Sequence, residues 1–360
     1  MYLRFLAFFG ALAVALAAIA YVDFRLDPFG DRYHADVLAA ALDRPKPCFV
    51  AWEVVGEQAW PSYKVDLFKR RRARVVVVGT SRVAKIGSWP GERDFVNLGV
   101  PGTGPESLPG LFDRLHSAHH GRLVVYLGTD AFWFGRNWRT KAWFDVSYLR
   151  DLKYLLSGQT LRQSLDVLRR APGSLVHPDA LRAFEIDRRG GTCVVDRGNS
   201  VFGGASNAWA PDGALYFQYE LIHASPIPRK ASLVTLYHPF YVGRSLADRH
   251  LDSLEDALAK ARRFGWTVVG FHAPISTRGI RRLEADPRTR GLFRRFRAEM
   301  PAVFARYGFR FLDLTSVRSV GCSESDFSFE DDGHANVRCG MRVRRALDRA
   351  AGLRPAMRSG

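Results

Sequence analysis

Four consecutive valines, Val75-Val76-Val77-Val78, run straight into Gly79-Thr80-Ser81-Arg82. A β-branched run with no polar alternation has no face to show to water, so it suits a strand covered on both sides, as in the parallel sheet of an α/β protein. Ligands of such sheets collect beyond the carboxyl ends of the strands. Ser81 falls at that end.

The rest of the chain supplies the expected partners. Phe95 to Leu98 reads as a short strand closed by a glycine- and proline-rich loop, Glu106 to His116 as a helix, and Leu123 to Leu127 as a strand ending at Gly128. Leu251 to Phe264 and Arg294 to Tyr307 have helical spacing. The strands Thr267 to Phe271 and Phe309 to Leu314 follow them, and Val337 to Ala350 forms a final helix. Strand and helix in alternation imply a central parallel sheet, hence an α/β fold. About 135–235 interrupts the alternation and reads as an insertion between core strands, where substrate selection usually resides. Trp133, Trp138, Trp143 and Trp209 offer sugar-stacking faces there, with packing inside the insertion as the commoner fate of each. The chain thus divides into residues 1–24, a stalk and approach segment 25–72, in which Asp27 to Gly30 reads as a turn and Ala35 to Leu42 as a short helix, and an α/β domain over 73–352.

Residues 1–24 hold the uncharged apolar stretch Phe5 to Val22, just long enough to cross a bilayer. Arg4 on its short side favours a cytoplasmic N-terminus. Ala18-Ile19-Ala20 offers a signal-peptidase site, but the stretch exceeds a typical signal core of about 7–15 residues, so an uncleaved anchor is the reading adopted. Either way the remainder is exported, which predicts a single-pass protein of the cell inner membrane with its domain in the periplasm or another extracytoplasmic space. Export permits disulfides among Cys48, Cys193, Cys322 and Cys339, of which three connectivities exist. A Cys322–Cys339 bridge would flank Asp331 and His334.

Lys and Arg total 53 against 36 Asp and Glu, a formal charge of +17 in 360 residues. The densest patch, Lys69 to Arg72 with Arg74, precedes the valine strand and so lies at the end away from Ser81; with no aromatic-interleaved groove beside it, no nucleic-acid partner is expected. Gly99, Gly102 and Gly104 do not have dinucleotide-loop spacing, and no cofactor is expected. A zinc site from Cys322, His334 and Cys339 lacks close cysteine spacing and a fourth ligand, so no metal is expected either.

Near the C-terminus stands Asp331-Asp332-Gly333-His334-Ala335-Asn336. A serine hydroxyl needs an imidazole to take its proton, and the imidazole needs a carboxylate to fix its tautomer. Ser81, His334 and Asp331 fit those roles. Taken singly, Ser81 reads as a helix cap and the Asp/His pair as a surface turn; their order in one α/β chain favours the catalytic reading.

These blocks resemble the SGNH/GDSL hydrolase-like superfamily: Gly79-Thr80-Ser81 its first block, Asn97 to Gly102 its second, Asp331 to His334 its last. The similarity is greatest to membrane-tethered extracytoplasmic members of the alginate O-acetylation and teichoic acid D-alanylation type. The resemblance implies a flavodoxin-like three-layer sandwich and a serine-dependent O-acyltransferase, chiefly an O-acetyltransferase, acting on a secreted or cell-surface polysaccharide. It also implies a membrane-bound acyltransferase as donor partner. The alternatives are an esterase or polysaccharide deacetylase with the same residues, and a non-catalytic carbohydrate-binding scaffold. Where the family's third block has Gly-x-Asn, this chain has Gly128-Thr129-Asp130. An ionised Asp130 cannot donate to an oxyanion, so the expected oxyanion donors are the Ser81 and Gly99 amides, with Arg82 adding charge. Asn97 and Asp130, the latter facing the site, complete the expected oxyanion and substrate set.

Overall fold

The computed structural model describes residues 2–26, 48–52, 60–139, 155–170, 172–176, 185–189, 192–196, 207–221, 246–327 and 332–353, with Ala39, Asp43, Leu152 and Gly243. Its strands, in chain order, are β1 (Phe49–Ala51), β2 (Val75–Val78), β3 (Phe95–Asn97), β4 (Val124–Thr129), β5 (Glu185–Arg189), β6 (Thr192–Asp196), β7 (Ala208–Trp209), β8 (Leu215–Tyr216), β9 (Thr267–His272) and β10 (Arg310–Asp313).

Five of them form one sheet in the order β10-β9-β4-β2-β3, with every neighbouring pair parallel. The valine strand is interior, flanked by β3 and β4, and all four valines are buried. Val76 and Val78 join one apolar cluster while Val75 and Val77 join another, as the two-residue period of a strand requires. The first cluster draws on helices Trp60–Arg71, Leu108–Ala118, Asp248–Arg263 and Pro287–Arg306, and the second on helix Val337–Ala350. Helices therefore cover both faces. Each fully buried valine contributes about 1.5–3 kcal/mol of apolar transfer.

The order of strand addition reverses in this sheet at the β2/β4 pair: β3 is added on one side of β2, whereas β4, β9 and β10 follow on the other. A crevice opens at the carboxyl ends of the strands at such a reversal. Register sharpens the point, because Val78 pairs with Leu127 and Thr129 with His272. Thr80, Asp130 and Ala273, just past three adjacent strands, are thus brought to one edge.

A second sheet runs β5-β6-β1-β7-β8. It joins the approach segment to the insertion: β1 lies between β6 and β7, and the Cys48–Cys193 disulfide links the same two parts of the chain. Helix Trp60–Arg71 also packs into the body, with Trp60, Tyr63, Leu67 and Phe68 buried. Within 25–72, then, β1 and this helix belong to the body, not to a stalk. The second disulfide joins Cys322 to Cys339, which removes both thiolates that the zinc alternative needed. Turn Asp27 to Gly30 and nearly all of the expected helix Ala35 to Leu42 lie outside the described residues.

At the N-terminus, Tyr2–Leu26 is one helix. Its span Arg4–Leu26 is long and apolar enough to cross a membrane.

Candidate active site

Beyond β2 the chain turns sharply. Gly79 has φ +152°, and a Cβ there would stand 2.7 Å from the Gly128 carbonyl oxygen, so only glycine lets the two strand ends approach this closely. A 3-10 turn, Ser81–Val83, follows at once, capped by Thr80, whose hydroxyl accepts from the Arg82 N–H at 3.3 Å. Thr80, not Ser81, is therefore the cap. Val83 plugs the space left by Gly79, Gly99 and Gly128.

The half-buried Ser81 Oγ lies 2.8 Å from His334 Nε2, across 253 positions of sequence. His334 itself is largely buried. For Nε2 to accept the hydroxyl proton, the ring's own proton must reside on Nδ1. His334 is delivered by the segment that leads into helix Val337–Ala350. Asn336 caps this helix by accepting from the Cys339 N–H at 3.0 Å, and Glu220 accepts from the Val337 N–H at 2.6 Å. Asp331 lies outside the described residues. Its neighbour Asp332 is buried and turned to other work: Oδ1 accepts from Ser276 Oγ at 2.6 Å and from Arg278 Nε at 2.9 Å, while the Asp332 carbonyl accepts from the Ser276 N–H at 2.8 Å.

Arg82 points into the protein. Its Nε donates to the Gly333 carbonyl at 3.2 Å, and Nη2 to the Ala273 and Pro274 carbonyls at 2.6 and 3.0 Å. Nη1 donates to Asp130 Oδ1 and to His272 Nε2, the latter at 3.2 Å. A guanidinium has five N–H donors, and these five acceptors among the described residues engage all of them. Arg82 is therefore a clamp tying the Ser81 turn, the end of β4, the end of β9 and the residue before His334 to one another. It is not the oxyanion charge that the sequence suggested.

Asp130 is corrected in the same way. It accepts from Arg82 and, at 2.9 Å, from Thr80 Oγ1; both its side chain and that of Arg82 are only 2% exposed. The carboxylate that looked hostile to an oxyanion is spent on the scaffold. His272 completes this cluster. Because Arg82 can only donate, His272 Nε2 must be the acceptor, and Nδ1–H donates to Thr315 Oγ1 at 2.7 Å, which passes its own proton toward Asp313. Burial pushes the His272 imidazole well below its usual range, and the charges of Arg82 and Arg297 push the same way. It stays neutral.

Gly99 and Asn97 also differ from expectation. The Gly99 N–H donates to Asn97 Oδ1 at 2.7 Å, and the Asn97 amide donates to the Val83 and Ile86 carbonyls at 2.9 and 2.8 Å. Buried Lys64 donates to the Gly99 carbonyl at 2.5 Å, its ammonium 4.2 Å above the Trp209 ring. Burial drives that ammonium well below its usual range, against the opposing pull of Asp212. The Gly99 peptide is thus occupied on both sides and Asn97 is scaffold. Ser81 opens its 3-10 turn, so its own N–H has no acceptor within that turn. On the loop that Val100 fastens to Gly79 by a 3.0 Å bond, Gly102 has φ +78° and its N–H meets no acceptor among the described residues.

Trp133, Trp138 and Trp209 are buried and serve as packing; Trp209 stacks on Trp52 with centroids 5.2 Å apart. Trp143 lies outside the described residues. Lys64, His272, Ser276 and Thr315 escaped sequence reading, although Ser276 three residues before Gly279 carries a recognisable cap signal, its Oγ accepting from the Gly279 N–H at 3.0 Å. Comparison of the chain with protein-family models, curated proteins and solved structures finds no match.

Proposed function

We propose that the protein is an extracytoplasmic serine-dependent O-acyltransferase with the flavodoxin-like fold of the SGNH/GDSL superfamily, chiefly an O-acetyltransferase acting on a secreted or cell-surface polysaccharide. One observation carries the reading: a serine hydroxyl at a sheet's switch point, 2.8 Å from an imidazole nitrogen. The sheet order, with its first strand between the second and third, is the order of that fold.

Ser81 Oγ attacks the acyl carbonyl carbon as His334 Nε2 takes the hydroxyl proton. The tetrahedral oxyanion is met by the Ser81 N–H, with the Gly102 N–H as second donor, in place of Gly99. Collapse breaks the bond to the leaving group, which departs with the proton held by His334, and leaves an ester on Ser81. An acceptor hydroxyl of the polysaccharide then attacks that ester. His334 takes its proton and returns it to Ser81 as the acyl group leaves. Asp331 is assigned as the carboxylate that orients His334. A membrane-bound acyltransferase supplies the acyl group, and the apolar N-terminal helix and two disulfides support a tethered, exported domain.

If water takes the acceptor's place, the same residues make an esterase or deacetylase. The scaffold reading loses its motive, since Asp130 is held by Arg82 and Thr80. The test is product analysis with a small acetyl ester, with and without an oligosaccharide acceptor. Acetylated oligosaccharide supports transfer, free acetate alone supports hydrolysis, and no turnover by folded protein with either argues against both.

A further inference from the structure

Among the described residues, large apolar side chains stand exposed in just two places. Nine lie along the N-terminal helix, from Tyr2 to Tyr21, and the other four are Leu152, Leu156, Leu165 and Val176, with relative exposures of 53%, 36%, 55% and 69%. A soluble surface scatters such residues singly; gathering them all on one short stretch marks a contact surface.

That stretch is fastened to the end of the apolar helix. Buried Asp23 accepts from Ser164 Oγ at 2.7 Å, and Arg25 Nη2 donates to the Leu175 and Val176 carbonyls at 3.2 and 3.3 Å. Leu26 and Val167 form an apolar cluster with Val22, Leu168 and Leu175 packed against it. The 25-residue helix Tyr2–Leu26 is about 37 Å long at 1.5 Å per residue. The hydrocarbon core is about 30 Å thick, so the last turns emerge at the membrane surface. Helix Gly158–Arg170 is docked on those turns.

The helix has the composition for that place. Thr160, Ser164 and Val167 are buried toward the protein, while Arg162, Leu165 and Arg169, at i, i+3 and i+7, share the exposed face. A leucine between two arginines lets the apolar side chain enter the acyl boundary while the guanidinium groups reach phosphate.

We propose that helix Gly158–Arg170, with flanking Leu156 and Val176, lies in the headgroup layer of the bilayer that holds the N-terminal helix and binds anionic phospholipid there. This rests on reading Tyr2–Leu26 as a bilayer helix. It fixes the domain against the membrane instead of leaving it free on a tether.

The test uses the full chain in vesicles of phosphatidylglycerol and phosphatidylcholine, carrying an environment-sensitive fluorophore on a cysteine introduced by Leu165→Cys, Val176→Cys or Leu12→Cys. Both native pairs are disulfides, so the new thiol is the reactive one. Brominated acyl chains are expected to quench all three probes. The quench at 165 is expected to weaken in pure phosphatidylcholine and after Arg162→Glu with Arg169→Glu, while that at 12 stays unchanged. Quenching at 12 without quenching at 165 and 176 overturns the proposal and assigns the surface to a protein partner. No quenching at 12 overturns the bilayer reading and the proposal with it. Equal quenching at 165 in both lipids overturns the anionic-lipid assignment.

Discussion

Arg82 is the residue on which the site's geometry turns. It spends its donors on acceptors from three separate parts of the chain, one of them the carbonyl next to His334. Removing one member of a buried ion pair costs about 3–5 kcal/mol, because the other charge is left without a partner. Arg82→Ala is therefore expected to lower stability by about that amount in denaturant unfolding. Adding Asp130→Asn should recover part of the loss, since a neutral amide tolerates burial better than an orphaned carboxylate. Strict additivity of the two changes would contradict the clamp. Sequence reading singled out Ser81 and His334, which the structure brings together, because each has recognisable neighbours. It put Arg82 and Asp130 in the wrong roles because an ion pair 48 positions apart is visible only when adjacent strand ends are aligned.

At the scale of elements, helix Val337–Ala350 follows directly on the segment that holds His334 and is set down tightly. A Cβ on Gly340 would meet the Lys85 carbonyl oxygen at 2.0 Å, so Gly340→Ala must push the helix off the Ser81 side of the sheet. Overpacking of this kind costs about 1–3 kcal/mol. Melting should show that loss, and reaction of Ser81 with an acylating probe should slow by more than the stability change explains. Asp326 holds the same helix end. Burial alone would raise its carboxyl, but the Ser323 N–H, Arg338 and Asn336 outweigh burial and hold it below its usual value. A depressed folded-state pKa stabilises fully above the ordinary carboxylate range, and that contribution is lost as pH falls through the folded value. Stability is thus expected to decline below about pH 4. Asp326→Asn should flatten this acid limb in urea titrations across pH; an unchanged limb would contradict the assignment. The boundaries of this helix were legible because Asn336 caps it and its apolar spacing is regular. The Glu220 contact to Val337 comes from 117 positions away and left no local trace.

For the molecule as a whole, the parallel sheet was readable from the valine run and the alternation after it, since burial on both faces admits few architectures. The second sheet was not. Its strands are two to five residues long and pair residues from the approach segment with the insertion, so neither period nor neighbourhood announces them. The Cys48–Cys193 disulfide closes a loop across 145 positions and makes that pairing durable. Severing it by Cys48→Ser with Cys193→Ser is expected to cost about 2–5 kcal/mol. The Ser81–His334 contact should survive, because the two residues are carried by the other sheet and its helix; probe reactivity at Ser81 reports this.

The central claim is that Ser81 is a nucleophile activated by His334. Exposure of the full-length protein to a fluorophosphonate, followed by intact-mass and peptide mapping, tests it most directly. The account predicts one adduct on Ser81, absent after Ser81→Ala and slowed at least about a hundredfold after His334→Ala, as loss of the general base requires. Undiminished labelling of the Ser81→Ala protein, or labelling of Ser81 at the same rate without His334, would contradict it.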